Sequence, residues 1–174
     1  MIENLTETIH GTLLSVYGNG VLIRGESGAG KSECALDMVS RGHALVADDA
    51  VELKRIGSTL YGSAPDAFKG FLDIRGLGIC DIRKLYGDAS VADRCGIKVS
   101  IELKAEKSAD QTMNIGGEQA EIEIFGVKLP HFVISNSNTR LLTVIIEAAV
   151  KMTTTDTRSA EISLIANYNR SLAG

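Results

Sequence analysis

Gly25-Glu26-Ser27-Gly28-Ala29-Gly30-Lys31-Ser32 sets two glycines, a lysine and a hydroxyl at the spacing Gly-x-x-x-x-Gly-Lys-Ser. In such a stretch backbone N–H groups turn inward around phosphate oxygens, and the helix that follows presents its positive end to the same anion. Lys31 then reaches the β and γ phosphates of a nucleotide, and the Ser32 hydroxyl ligates Mg²⁺. A second feature is the acid pair Asp48-Asp49, placed directly after the apolar run His43-Ala44-Leu45-Val46-Ala47. Acids at the C-terminal end of a strand stand where α/β sheets bind their ligands. Two adjacent carboxylates need not both be fully ionised, so the pair is able to supply a general base. The plainer alternative is that one caps the next turn while the other is solvated. His10, followed by Gly11, is the third candidate. A lone histidine is more often a surface or packing residue than a catalyst, but the hairpin after it brings it beside the strand that feeds the phosphate loop.

These residues need elements to hold them. Thr12 to Tyr17 and Val21 to Ile23 flank Gly18-Asn19-Gly20, which predicts a hairpin running into the phosphate loop. From Lys31 to Arg41 the apolar Ala35, Leu36, Met38 and Val39 share one helical face, and Gly42 suits a left-handed cap beyond the last turn. Residues 43–47 then form a buried strand. Val51 to Ile56 and Thr59 to Gly62 around Gly57-Ser58 suggest a second hairpin on the solvent side. Phe71 to Asp81 is mostly apolar, with Gly76, Gly78 and the charged Asp73, Arg75 and Asp81, and its form is left open. Ile97 to Leu103 alternates as a strand, 104–117 is polar and reads as a loop, and Ala120 to Val127 with Lys128 to Pro130 gives a strand pair. Ser135 to Thr139 reads as a polar turn, Leu141 to Val150 as a helix, and a last helix is expected from about 159 to 172. Strand, phosphate loop, helix and acid-tipped strand in that order make an α/β class domain.

The 174 residues suit one domain with a real core, of which 44% are hydrophobic and 23% charged. No apolar run approaches the roughly 20 residues that span a bilayer, and MIENLTETIHG lacks a basic start followed by an apolar segment, so a cytoplasmic protein with no membrane contact is expected. A net charge of -4 without a basic stripe argues against nucleic acid as a partner. Cys34, Cys80 and Cys95 form no Cys-x-x-Cys pair, which argues against a zinc site or disulfide framework. No Asn-Lys-x-Asp segment is present to read a guanine base as a GTPase of the familiar kind does.

Taken together, His10-Gly11, the run Gly25 to Glu33, Arg41-Gly42-His43-Ala44-Leu45-Val46-Ala47-Asp48-Asp49 and Asp73-Ile74-Arg75-Gly76-Leu77-Gly78-Ile79-Cys80-Asp81 resemble the HPr kinase/phosphorylase family, in its C-terminal catalytic domain, over about residues 9 to 150. The resemblance implies a mixed-sheet P-loop fold similar to phosphoenolpyruvate carboxykinase. It implies Mg²⁺-dependent transfer of phosphate from ATP or pyrophosphate to a serine of HPr, the small phosphocarrier of the bacterial sugar phosphotransferase system, and removal of that phosphate by phosphorolysis. By position, Gly25, Glu26, Ser27, Gly28, Ala29, Gly30, Lys31 and Ser32 would bind the phosphates, with Lys31 catalytic. Ser32 and Asp73 would hold the metal, His10 would lie near the phosphates, and Asp49 with Asp48 beside it would act as acid and base. A homo-oligomer, a hexamer in the family, is implied, with adjacent subunits sharing the substrate site.

Three departures stand out. Asp73 replaces the family's Glu. Thr112-Met113-Asn114-Ile115-Gly116 aligns with a Tyr-Asp-Arg-Leu-Gly segment, so Asn114 stands where an arginine is expected. Ser135-Asn136-Ser137-Asn138-Thr139-Arg140-Leu141 replaces a Pro-Val-Arg-Pro-Gly-Arg-Asn loop tied to dephosphorylation and keeps only Arg140. The loss of both prolines and one cation makes that loop less rigid and less positive, so the kinase direction is expected to persist and phosphorolysis to weaken. Met1 lies about nine residues before the His-Gly start, so residues 1–174 are expected to be one catalytic domain without the regulatory domain of longer members. Two other readings follow from the same residues: a P-loop kinase for another hydroxyl acceptor, and a nucleotide-binding sensor that transfers nothing.

Overall fold

The computed structural model describes residues 6–105, 120–136 and 139–155. Its strands are β1 (Thr6–His10), β2 (Thr12–Val16), β3 (Asn19–Arg24), β4 (Ala44–Ala47), β5 (Ala50–Ile56), β6 (Thr59–Ser63), β7 (Phe71–Ile74), β8 (Gly78–Asp81), β9 (Arg94–Ala105), β10 (Ala120–Ile124) and β11 (Val127–Asn136). The helices are α1 (Lys31–Ser40), α2 (Ile82–Tyr86) and α3 (Thr139–Thr154). All strands but β7 and β8 join one mixed sheet, in the order β1-β5-β6-β9-β3-β2-β4, with β11 also on β9 and β10 beyond it.

Strand β9 organises this sheet because it is long enough to change partners along its length. Arg94 to Gly96 pair antiparallel with β6, Ile97 to Glu102 run parallel to β3, and Ser100 to Ala105 run parallel to β11. It also serves two cores: its register against β3 slips by one residue between Gly20↔Ile97 and Val21↔Val99, and this irregularity turns its odd-numbered side chains from one core to the other. Val99, Ile101 and Leu103 pack with Cys34, Ala35, Met38 and Val39 of α1 and with Leu142, Ile146 and Val150 of α3. Cys95 and Ile97 face the other way, toward Leu13, Leu22, Leu53 and Leu60. Each fully buried Leu or Ile contributes about 1.5–3 kcal/mol over an exposed one. The stripe expected on α1 is thus the face that seats the helix behind the phosphate loop. Its far end is tied to α3, where His43 Nε2 lies 2.9 Å from Glu147 Oε1 and Arg41 Nη1 lies 3.4 Å from Glu147 Oε2.

Several expectations change. The hairpin β5–β6 is not on the solvent side: Val51, Leu53 and Leu60 are fully buried, because the sheet curls and lays this face over Leu13 and Leu22. His10 is not poised ahead of the first strand but ends one, β1, whose residues pair antiparallel with β5 from Thr6↔Lys54 to His10↔Ala50. Ser135 and Asn136 are not a turn but extend β11 alongside Lys104 and Ala105 of β9. The open segment 71–81 folds back on itself as β7–β8, with Gly76 and Gly78 at φ 86° and 80° in the bend. Asn114, most of the 104–117 segment and the helix expected at 159–172 lie outside the described residues. Among the described residues no helix is long and apolar enough to cross a membrane.

Gly25 is where the parallel strands meet the phosphate loop. Its φ is 145°, and a Cβ there would run into the carbonyl oxygen of Leu103 on β9. Gly18, at φ 80° in the β2–β3 turn, has open space around its Cβ position. Gly18→Ala is therefore expected to cost only the left-handed conformation, about 1 kcal/mol, while Gly25→Ala adds a backbone collision and costs about 2–4 kcal/mol, as measured by urea unfolding.

Candidate active site

Strand β3 delivers the chain into the phosphate loop, and α1 begins as soon as the loop ends. Gly30, at φ 94°, occupies the N-cap in a left-handed conformation with no side chain to cap the helix. The first N–H groups of α1 are therefore not satisfied by a capping side chain, which leaves them for an anion. Lys31 is buried, with its ammonium donating to the carbonyl oxygens of Gly25 at 2.8 Å and Glu26 at 3.0 Å. The loop thus closes on its own lysine.

The two acids after β4 part company. Asp49 has φ 64°, a left-handed conformation that Asp tolerates better than most side chains. The chain reverses there, and neighbouring carboxylates leave it in different directions. Asp48 turns inward: its Oδ1 accepts from Thr12 Oγ1 at 2.7 Å and its Oδ2 from Ser32 Oγ at 3.2 Å. Burial pushes its carboxyl above the usual carboxylate range, while hydrogen bonds from Thr12, Ser32 and the Asp73 and Asp49 backbones pull it partly back. Asp49 turns outward, its side chain 84% exposed. His10 Nδ1 lies 3.0 Å from both the Asp49 backbone oxygen and its Oδ1, and the Gly11 N–H donates to that same backbone oxygen at 3.2 Å. The β1–β5 register therefore fixes the strained turn and aims its acid.

A third wall comes from β7. Leu72 and Ile74 are buried in the core beneath α1, so by strand alternation Asp73 and then Arg75 face the loop. One cavity of about 410 Å³, within the usual range for ligand pockets, collects these walls. It is lined by His10, Ser27, Gly28, Gly30, Lys31, Ser32, Asp48, Asp49 and Asp73, all expected from sequence. Gly25, Glu26 and Ala29 belong to the same loop without lining the cavity; Ala29 is buried behind it. Glu33 and Arg75 line it as well; Glu33 was not anticipated, while Arg75 lies in the stretch Leu72 to Asp81 that the resemblance implies lines the site, without having been singled out there. The available signal was the alternation Leu72-Asp73-Ile74-Arg75, legible once the stretch is known to be a strand.

Residues 3–166 match the family described as the HPr Serine kinase C-terminal domain. The chain belongs to this family. An HPr kinase/phosphorylase of Caldicellulosiruptor bescii is 46% identical over 143 residues, 82% of this chain and 46% of that protein. The one from Clostridium acetobutylicum is 39% identical over 170 residues, 92% of this chain and 56% of that protein. The chain spans about half the length of the curated relatives it matches. Among solved structures, the Hpr(Ser) kinase/phosphatase from Coxiella burnetii is similar at 29% identity with a TM-score of 0.71, covering 97% of this chain and 99% of that one. The family expected from the motifs and the mixed α/β fold are both borne out.

Within this HPr kinase C-terminal domain the cysteines lie outside the cavity. Burial pushes the thiols of Cys34 and Cys95 up to about 12, as befits packing residues. Asp48 carries the opposite cost, being buried for the sake of the site. Because its pKa is raised, the folded state holds the proton more tightly than the unfolded chain. Its contribution to stability is then fully present below the ordinary value of 3.8 and is lost as pH rises through the raised folded value. Asp48→Asn is expected to be more stable than wild type at pH 7, with the advantage shrinking as pH falls toward 3.8, in urea unfolding series at each pH.

Proposed function

We propose that this domain is a Mg²⁺-dependent serine protein kinase that transfers phosphate from ATP or pyrophosphate to a serine of HPr. The observation that carries the reading is the division of labour between Asp48 and Asp49: one carboxylate is bound to the phosphate-loop hydroxyl, while its neighbour is exposed in the same cavity and oriented by His10. A structural acid pair has no need of that split. The relatives named HPr kinase/phosphorylase support the acceptor. Leu77 and Ile79, 72% and 76% exposed on the hairpin beside the cavity, add an apolar surface suited to a protein acceptor.

Among the described residues no three His, Cys, Asp or Glu side chains gather into a metal cage. Mg²⁺ does not require one, because it is usually held by one or two carboxylates together with substrate phosphates and water. The hard oxygens of Ser32, Asp48 and Asp73 fit it, and when bound it would neutralise charge on the phosphate chain. Lys31 and the α1 N-terminus hold the phosphates. Asp49 accepts the proton of the HPr serine hydroxyl as that oxygen bonds to the γ-phosphorus; the bond from phosphorus to the bridging oxygen breaks, and ADP leaves. In phosphorolysis inorganic phosphate takes the phosphoryl group from serine to form pyrophosphate, and Asp49 returns the proton. A reaction that uses HPr and ATP would belong in the cytoplasm, and the hexamer of the family is the assembly we expect.

Labelled ATP, Mg²⁺ and purified HPr provide the test. Wild type is expected to form phosphoserine, and Asp49→Asn to do so about 10²–10⁴-fold more slowly with its affinity for nucleotide retained. Excess inorganic phosphate should reverse the wild-type reaction more slowly than the forward transfer, given the altered 135–141 segment. Bound nucleotide without transfer to HPr would favour another hydroxyl acceptor or a sensor.

A further inference from the structure

We propose that the guanidinium of Arg75 is a phosphate-contacting group that engages the γ end of a nucleotide held by the phosphate loop. The cavity is rich in acid: Glu33, Asp48, Asp49 and Asp73 line it against Lys31 and Arg75, with His10 beside Asp49. A polyphosphate brought into such a site needs more positive charge than one lysine supplies. Lys31 donates to loop carbonyls at Gly25 and Glu26, and His10 faces Asp49. Arg75 has no hydrogen bond or ion pair among the described residues, which leaves its donors free.

Its placement is specific. Ile74, the residue before it, is 5% exposed in the core beneath α1, so the strand end is anchored while the arginine side chain is exposed. Arg75 Nη2 stands 3.2 Å from the position a Cβ would take on Gly28, at the crest of the phosphate loop. Gly28 has φ 83° and no side chain, so nothing from the loop screens the guanidinium from an anion lying there. Gly28 lies three residues before Lys31, which puts cations from two separate elements on the loop. The planar fork of arginine matches phosphate oxygens in a bidentate way that a point charge does not. A solvated surface arginine, the plainer reading, would have no reason to overlie the loop.

The inference deepens the kinase reading, but its test requires no acceptor. Binding of Mg²⁺ complexes of a non-hydrolysable ATP analogue and of ADP is measured by calorimetry on wild type, Arg75→Ala and Arg75→Lys, with thermal unfolding as a check on the fold. Arg75→Ala is expected to weaken the ATP analogue about 10- to 100-fold, the size of lost hydrogen bonds to a charged group, and to change ADP by less than about two-fold. Arg75→Lys should recover only part of the loss. Unchanged affinity for both ligands, an equal loss for both, or a wild type that binds neither would overturn the proposal. Failure of wild type to phosphorylate HPr, with the ATP-selective loss intact, would remove the kinase reading and leave Arg75 in place.

Discussion

Asp48 joins β4, β2 and α1 at one point. Thr12 Oγ1 and Ser32 Oγ each donate to a different oxygen of its carboxylate, so the strand that carries the acid, the strand that starts the hairpin and the helix behind the phosphate loop share one polar node. Burial opposes the charge on this group and the two hydroxyls favour it. Such a carboxylate is tolerated where its partners are supplied by rigid elements. Both cores furnish that rigidity, with Leu13 and Leu14 next to Thr12 on opposite sides of β2, and Cys34 and Ala35 close behind Ser32 on α1.

From this node the remaining geometry follows. Ala50 N–H donates to the Asp48 carbonyl oxygen at 2.8 Å, closing the turn that forces Asp49 to a positive φ. A left-handed residue costs of order 1 kcal/mol and persists only where its surroundings over-determine it. Here they do so through β1, whose last residue pairs with Ala50 and whose histidine meets Asp49. The exposed His10–Asp49 pair adds little to stability. Its value is directional, since it holds an acid at the cavity mouth.

The phosphate loop without ligand also has a defined arrangement. Lys31 donates to neutral carbonyls, which are weaker acceptors than phosphate oxygens. An arriving phosphate chain competes for the same ammonium on favourable terms, so the loop is preset around its cation and does not have to recruit it. The hairpin β7–β8 closes the other side through an alternation that buries Leu72 and Ile74 and turns Asp73 and Arg75 inward to the cavity.

The sequence alone determined whatever depends on near neighbours. The glycine spacing and Lys31-Ser32 specify the loop, the 3.6-residue spacing of Ala35, Met38 and Val39 specifies α1, and the apolar run to Ala47 specifies the strand that presents Asp48 and Asp49. These signals are local because turn geometry and helix period are set within a few residues. Thr6 to Ile9 gave no such signal, since a polar edge strand gains its structure from pairing with β5 more than 40 residues away. The burial of the β5–β6 hairpin was likewise hidden, because alternation specifies two faces and not which body covers each. Only the tertiary structure decided which of two adjacent acids turns inward, that His10 serves the outer one, and that Arg75 overlies Gly28. Each rests on contacts between elements distant in sequence, where the controlling quantity is register and curvature of the sheet and not the composition of any single stretch.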